Sequence, residues 1–387
     1  MKVNPDLEFV RDLIRKGGSD VKKCSQCATC SVVCPLSPAN RPYPRKEMIW
    51  ASWGLADKLA GDPDVWLCHQ CGDCSTQCTR DARPGDVLAA LRLKAIEHFA
   101  FPGFMGKLAG EPRLLPVLLL IAALFLGLMV VTQQALNATA PLVFQEAHFE
   151  YEEFLSHPVI IGYFTTAFLL AIASAAIGAV RFWRAMEATA ADWGTEERES
   201  FLPALVGAVG ELLWHSRFHR CEVSATRRSG HLLVFYGFLG LLVVTSIATL
   251  LTILELPFLL DNPHLYPLGW GHPVKIAGNL AGLALVGGCG YVWYYRATNP
   301  EQNGKSTYAD WLFLGLLLAV GLTGFGTEFV RLTPIPAVIG TPTYLVHLVA
   351  VFCLLIFLPY TKFAHFFYRL LAMTHARSRG RAVPPER

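Results

Sequence analysis

The sequence predicts an all-α protein in two parts, a charged N-terminal domain rich in cysteine and a bundle of six membrane-spanning helices. Eight of the eleven cysteines lie within residues 1–110, where no apolar–polar alternation typical of strands occurs. From residue 114 onward the chain contains six long apolar stretches. Hydrophobic residues make up 53% of the chain and charged residues only 16%, a composition too apolar for one soluble domain.

Two cysteine runs share one spacing. They are Cys24-x2-Cys27-x2-Cys30-x3-Cys34, followed by Pro35, and Cys68-x2-Cys71-x2-Cys74-x3-Cys78. This spacing is typical of ligands to cubane [4Fe–4S] clusters, and in two-cluster ferredoxins the fourth cysteine of each run binds the cluster of the other run. The sequence therefore predicts two clusters, with the ligand sets Cys24, Cys27, Cys30, Cys78 and Cys68, Cys71, Cys74, Cys34.

Zinc and disulfides are the alternatives for these cysteines. Structural zinc usually takes four ligands from two separated pairs, whereas each run here supplies four thiols within eleven residues. The first residues are charged and do not resemble a signal peptide, so we expect this domain in the cytoplasm, where thiols stay reduced. Clusters are therefore favoured over both alternatives.

Helix signals divide the N-terminal domain, for which we predict the bounds 1–100. A first helix is expected over residues 4–16, capped by Asn4, and a second over residues 44–60 between the two cysteine runs. A third helix is expected to open at Pro84, since proline is favoured in the first helical turn. The domain is thus predicted to be an α-helical ferredoxin.

The rest of the chain is predicted to form a connector, residues 101–113, at the membrane surface and a membrane domain, residues 114–370. At a rise of 1.5 Å per residue, each apolar stretch spans or nearly spans a hydrocarbon core of ~30 Å. An apolar segment at 201–214, broken by proline and glycine, is expected to lie at the interface or contact a partner. The predicted spans are 114–132, 158–180, 231–253, 273–295, 311–330 and 343–367.

Lysine and arginine are distributed unevenly among the loops. Loops 132–156 and 254–272 have neither residue, whereas loop 181–230 has seven arginines and the tail 371–387 has four. Because basic loops stay in the cytoplasm, the N-terminal domain and the C-terminal tail are both predicted there, with the spans in the inner membrane.

Histidines in the apolar stretches are candidate axial ligands of haem b. His347 and His365 are eighteen residues apart, which on one helix is five turns, one face and about 27 Å. Matching the remaining histidines by depth predicts an inner haem held by His231 and His365. It also predicts an outer haem held by His272 and His347.

Other assignments of these histidines stay open. His157 competes with His272 for the outer haem, and His264 is a weaker candidate. His215 and His219 lie in the basic loop and are expected at the surface or an interface. A single intramembrane histidine can also be a hydrogen-bonded packing residue, so one haem remains an alternative to two.

Residues 20–90, with the motif Cys-Ser-Gln-Cys-Ala-Thr-Cys-Ser-Val-Val-Cys-Pro, resemble the cluster subunit of heterodisulfide reductases. Residues 114–370 are similar to the membrane cytochrome b of that system and to the gamma subunit of respiratory nitrate reductase. The fused order, with Gly-His-Leu-Leu-Val-Phe-Tyr-Gly-Phe in the third span, resembles the membrane component of quinone-interacting membrane-bound oxidoreductase complexes.

The nitrate reductase resemblance implies roles for particular residues. That family places two haem ligands eighteen apart on its last helix, which His347 and His365 match. Of two further ligands ten apart on an earlier helix, His231 matches the first, but Leu241 stands at the second and cannot bind iron. The family's quinol-site lysine corresponds to Lys275, whose alternative role is to extend its charge to lipid headgroups.

The resemblance also implies partners. These are two cytoplasmic flavin and iron–sulfur subunits, membrane quinone, and adenylylsulfate reductase in dissimilatory sulfur metabolism, with no nucleic acid. The expected function is a quinone-linked electron conduit in which Lys275 or Glu328 exchanges protons. The alternative is a membrane anchor that transfers electrons between proteins without a quinone site. A redox sensor and a transporter are disfavoured, because the sequence shows no output domain and no inverted repeat.

Overall fold

A computed structural model of the chain describes residues 4–39, 41–136, 151–190, 198–217, 225–254, 271–299, 304–333 and 335–380. Within these ranges every regular element is a helix. The α-helices are α1 Leu7–Leu13, α2 Thr29–Val32, α3 Arg45–Ser52, α4 Ala56–Ala60, α5 Asp64–Leu67, α6 Asp73–Thr76, α7 Pro84–Phe99, α8 Gly103–Gly110, α9 Leu115–Leu136, α10 Tyr151–Phe154, α11 His157–Thr189, α12 Phe201–Trp214, α13 Ala225–Leu254, α14 Pro273–Thr298, α15 Tyr308–Leu332, α16 Ala337–Ile356 and α17 His365–Ser378.

Helix α2 lies within the first cysteine run and α6 within the second, and α7 packs against α5 and α6. The predicted start of α7 at Pro84 is confirmed. The first helix starts later than predicted, because the carboxylate of Asp6, rather than Asn4, caps it by accepting from the Phe9 amide at 2.9 Å. A π-helical turn, Ile14–Gly18, then continues it.

The helix predicted over 44–60 is instead two helices, α3 and α4. Gly54 separates them with a φ of +69°, a left-handed conformation that glycine adopts without strain. Its carbonyl accepts from the Asp6 amide at 3.0 Å. A Cβ at this position would lie 2.6 Å from the Asp6 carbonyl oxygen, so a larger residue does not fit there.

Among the described residues, six helices are long and apolar enough to span a membrane, as predicted, so this is a multi-pass membrane protein. They are Pro112–Leu136, His157–Thr189, Arg227–Ile253, Pro273–Thr298, Tyr308–Leu332 and Ala337–Ile356. Residues 137–150 and 255–270, which make up most of the loops 132–156 and 254–272, lie outside the described residues, as do His219 and His264.

The last span differs from its prediction. A continuous helix over 343–367 is wrong, because α16 ends at Ile356 and Pro359 follows within a 3₁₀ turn. Proline has no amide hydrogen to donate and its ring crowds the preceding turn, so Pro359 disfavours an extension of α16. A second turn leads to α17, which begins at His365. His347 and His365 therefore lie on different helices, and the argument that they share one helix face does not hold.

The N-terminal domain packs against one end of the membrane bundle. The ring of Trp66 stacks on Tyr368 of α17 with centroids 5.0 Å apart and meets Phe182 of α11 edge-on at 6.2 Å. Thr189 at the end of α11 donates its hydroxyl to the Gly61 carbonyl at 2.9 Å. The boundary proposed at residue 370 falls inside α17, and this helix joins the cysteine-rich domain to the spans.

Candidate functional site

The eight clustered cysteines form two groups in space. Cys30 has the sulfur atoms of Cys24, Cys27 and Cys78 as its neighbours. Cys34, from the first run, instead lines a pocket with the second run's Cys68, Cys71 and Cys74. The fold thus brings together both predicted ligand sets, including the exchange of the fourth cysteine between runs.

Burial and the neighbouring thiols raise the pKa of Cys30 to about 11. Burial also raises the pKa of Cys34, to about 12. Both thiols are protonated at neutral pH when no metal is bound, so binding iron releases protons. The surrounding backbone fits a cluster, because amides already point at sulfur: Gln70 donates to Cys68 Sγ and Ala82 donates to Cys78 Sγ, each at 3.3 Å.

The two cysteine groups differ in exposure. Cys27 of the first group lies at the surface, whereas Cys71 and Cys74 of the second are 7% and 8% exposed. The second group faces the membrane bundle through His69, the residue after Cys68, which also lines the next cavity. A centre at the first group is therefore accessible to other proteins, and a centre at the second lies between it and the spans.

A cavity lies between the second cysteine run and helices α12, α13 and α17. Four histidines line it: His69, His215, His231 and His365. The structure thus brings together the predicted inner pair, His231 and His365. His215 is half-buried in the cavity wall, with its ring centroid 5.2 Å from that of His231, and burial lowers its pKa.

Hydrogen bonds orient His365 for ligation. Its Nδ1–H donates to the Lys362 carbonyl at 2.7 Å, which leaves the lone pair on Nε2. The Lys362 ammonium binds Asp310 at the start of α15, and Arg296 of α14 binds the same carboxylate at 3.3 Å. Burial lowers the pKa of His365 to about 4, so the ring is neutral at physiological pH. Metal-ligating histidines have a neutral ring whose other nitrogen donates a hydrogen bond, and His365 has both features.

His347 lies in the interior of α16 and is oriented similarly. The Thr323 hydroxyl donates to the Ala319 carbonyl at 2.6 Å, so it accepts from His347 Nδ1–H at 2.9 Å. Gly324 lies against the same ring, because a Cβ there would be 3.4 Å from His347 Cε1. His347 is therefore level with Thr323 and Gly324 of α15.

The structure does not bring His272 to His347. Helices α14 and α15 pack with Gly282 against Phe325, so the α14 residue level with His347 is Leu283. Eleven residues separate it from His272, which is roughly 16 Å along the helix axis. His272 instead caps α14, its Nδ1 accepting from the Val274 amide at 3.3 Å. The predicted pairing of His272 with His347 differs from this geometry because it matched helix ends rather than the packing register of α14 against α15.

Lys275 lies in an ion pair between spans. Its Nζ is 3.1 Å from Oε1 of Glu328, and Asn279 donates to the same oxygen at 3.2 Å. Glu328 is one helical turn beyond Gly324, the residue that contacts His347. A polar group thus extends from His347 toward the ends of α14 and α15 that lie away from the cysteine-rich domain.

The sequence interpretation missed residues at the cavity. His69, Arg227 and Arg369 all meet at its edge, where both arginines bind the segment that follows Cys68. A sequence signal was present, since Arg227 is four residues before His231 and Arg369 is four after His365. Residues at that spacing share a helix face.

Comparisons with known proteins divide the chain in the same way. The family model described as "Citrate utilization protein B" matches residues 109–386, and the model described as "4Fe-4S dicluster domain" matches residues 20–82. "Citrate utilization protein B" of Escherichia coli is 27% identical over 299 residues, covering 74% of this chain and 72% of that protein.

Two further relatives match the N-terminal part. Each is the C subunit of a "H(2):CoB-CoM heterodisulfide,ferredoxin reductase", one from Methanothermobacter marburgensis and one from Methanothermobacter thermautotrophicus. Both are 36% identical over 106 residues, covering 27% of this chain and 55% of the relative, so the match spans about half of their length. No solved structure matches. The chain is thus an iron–sulfur electron-transfer protein with a membrane helix bundle, similar to these relatives over its N-terminal domain.

Double substitutions test the exchange of the fourth cysteine. Cys34→Ala with Cys71→Ala removes two ligands of one predicted cluster, so about half of the iron and one of two electron paramagnetic resonance (EPR) signals should remain. The matched pair, Cys34→Ala with Cys27→Ala, removes one ligand from each cluster and should lose most of the iron. Iron analysis and EPR of the reduced proteins measure both. The reverse pattern would contradict the exchange.

Proposed function

This chain belongs to the citrate utilization protein B family, and we propose that it is a membrane-bound electron conduit between cytoplasmic flavoprotein partners and membrane quinone. One observation carries the proposal. The cavity that contains His231 and His365 lies directly against the second cysteine run, with His69 in the wall of both sites. A centre held by the run and a centre held by the two histidines are therefore neighbours.

We propose that this cavity would hold one b haem, with His231 and His365 as the residues that would bind its iron. The cavity brings two histidines from different helices, His231 and His365, into one lining, which suits an iron that takes two imidazole ligands. Haem bound there supplies a one-electron iron couple. The neutral ring of His365 would offer Nε2 to the iron, Arg217 would offer a cation to a propionate, and Phe235 would contribute an apolar wall.

A second haem at His347 is not part of this proposal. It needs a ligand from a neighbouring helix at the same depth, and on α14 the residues at that level are Leu283 and Ala284, which cannot bind iron. His272 lies too far along α14 to serve. Helix α14 thus offers no second ligand, and we favour the one-haem alternative; ligation of a second haem by His157 of α11 stays a prediction.

The quinone site in this proposal is the polar group around Lys275. Ionisable side chains within membrane spans are costly, and they often mark substrate or proton pathways. Lys275 can donate a hydrogen bond to a quinone oxygen, and Glu328 beside it can accept the proton that a quinol releases. His347 lies one turn deeper and would extend the site into the bundle.

Partners are proposed on the exposed side of the N-terminal domain. Cys27 is exposed there, so a centre held by the first group can exchange electrons with a docked protein. The N-terminal domain and the C-terminal helix lie at the same end of the spans, and we place both in the cytoplasm. Two flavin and iron–sulfur subunits, as the sequence resemblance implies, are the proposed electron partners.

The metabolic role is a narrower proposal. Resemblance to the quinone-interacting membrane-bound oxidoreductase suggests adenylylsulfate reductase as the terminal partner in sulfur metabolism. The name of the Escherichia coli relative suggests instead a partner that acts in citrate use, a second candidate supported by similarity over 74% of the chain. Both candidates use the same chain of centres, so the choice between them concerns the partner alone.

Haem quantification tests the proposed function. The purified protein should contain about one b haem per chain in a reduced-minus-oxidised spectrum, together with iron and acid-labile sulfide. His231→Ala and His365→Ala should each abolish the haem spectrum. His272→Ala is the matched control and should retain it. A protein with neither haem nor sulfide would refute the proposal.

Substitution of Lys275 tests the quinone site. Lys275→Met should slow haem reduction by a quinol analogue roughly 10- to 100-fold, because a hydrogen bond from a charged group contributes about 1.5–3 kcal/mol. Reduction by dithionite should stay unchanged. Lys107→Met, in the exposed part of α8, is the control. If Lys275→Met reacts with quinol as fast as the unaltered protein, the alternative of an anchor without a quinone site is favoured.

A further inference from the structure

We propose that Arg227 and Arg369 form a positioning clamp that fixes the segment Cys68–Gln70 against the histidine cavity and raises the reduction potential of the cluster that this segment holds. The inference rests on the proposed function for the identity of the two centres. It adds a role for two arginines, which neither the cysteine spacing nor the histidine pairing assigns. We name Arg227 and Arg369 together the arginine clamp.

Hydrogen bonds define the clamp. Arg227 Nη2 donates to the carbonyl of His69 at 3.2 Å and to that of Gln70 at 2.9 Å. The Arg369 guanidinium donates to Nε2 of His69. The membrane bundle therefore binds both the backbone and the side chain of this segment. Arg92 holds it from within the N-terminal domain, donating to the Cys68 carbonyl at 2.7 Å.

The clamp and the proposed haem ligands share helices. Arg227 lies four residues before His231 on α13, and Arg369 lies four after His365 on α17. Residues four apart lie on one face, one turn from each other. Both arginines reach His69, so each helix presents its histidine to the cavity and its arginine to the cluster segment. A shift of either helix moves ligand and clamp together.

Charge gives the clamp its effect on potential. Reduction of a [4Fe–4S] cluster adds one negative charge to a centre already surrounded by thiolates, and nearby cations stabilise that charge. Arg227 and Arg369 both lie in the partly buried contact between the two domains, where charges are screened less than at the surface. The cluster of the second run should therefore accept an electron more readily than it would without them.

Position gives the clamp its effect on rate. His69 is part of the wall of both the cluster pocket and the histidine cavity, so the clamped segment is the layer between the two centres. With both centres bound, one electron would pass from the reduced cluster to the ferric haem, with no bond broken and no proton moved. The rate of such a step falls steeply with distance, which a fixed segment keeps short.

Arginine variants of the full-length protein separate the two effects. Arg227→Gln and Arg369→Gln remove charge, and EPR-monitored redox titration should show the midpoint potential of one cluster falling while the other stays constant. Arg227→Lys and Arg369→Lys keep the charge but lose the fork of donors. They should retain the midpoint and still slow haem reduction, after photoreduction of the clusters, at least roughly tenfold. Arg113→Gln, an exposed arginine of the connector, is the control for charge.

Each outcome decides the proposal. Unchanged midpoints in the glutamine variants, or an equal fall for both clusters, overturn the electrostatic role. Haem reduction in the lysine variants as fast as in the unaltered protein overturns the positioning role. If the glutamine variants lose iron, the rate of haem reduction in the lysine variants alone decides whether the clamp has its positioning role. If the protein contains no haem, the proposed function fails, whereas the cluster midpoints still test the clamp.

Discussion

The contact between the cysteine-rich domain and the membrane bundle is the constraint on which the rest of the structure depends. Trp66 stacks on Tyr368 and meets Phe182, which places the second cysteine run at the end of α11 and α17. Aromatic pairs of this kind contribute about 0.5–1.5 kcal/mol each beyond their burial. Without this packing, His69 would not be held beside His231 and His365. The cluster site and the histidine cavity would then be separate.

Local sequence rules predicted most of the architecture. Ligand spacing in the cysteine runs is set by cluster geometry, and span length is set by the bilayer, so both can be read from the chain. The predictions that differ from the structure concern where a helix ends and how neighbouring helices align. Pro359 ends the last span before His365, and the register of α14 against α15 separates His272 from His347. The position of a helix break in space and the register of two packed helices both depend on tertiary contacts, so neighbouring residues in the sequence do not determine them.

The residues that meet at the edge of the histidine cavity could not be predicted from the sequence. His69 lies more than 150 residues before Arg227 and 300 before Arg369, and only the tertiary fold brings the three together. The histidine pair could be matched by depth because both residues lie near the same ends of their helices. The residues that connect this pair to the cluster could not be predicted from the sequence. Their contacts arise from the packing of two domains, and each domain has its own separate sequence signals.

Magnetic coupling between the two proposed centres tests the account most directly. A ferric haem beside a reduced cluster shortens the cluster's electron-spin relaxation time, and this effect falls steeply with distance. In protein frozen after photoreduction of the clusters and before the haem is reduced, we expect faster relaxation for one of the two cluster signals, and loss of that effect in His365→Ala. If the oxidised haem changes the relaxation of neither cluster signal, that result would contradict the placement of the second cysteine run against the cavity.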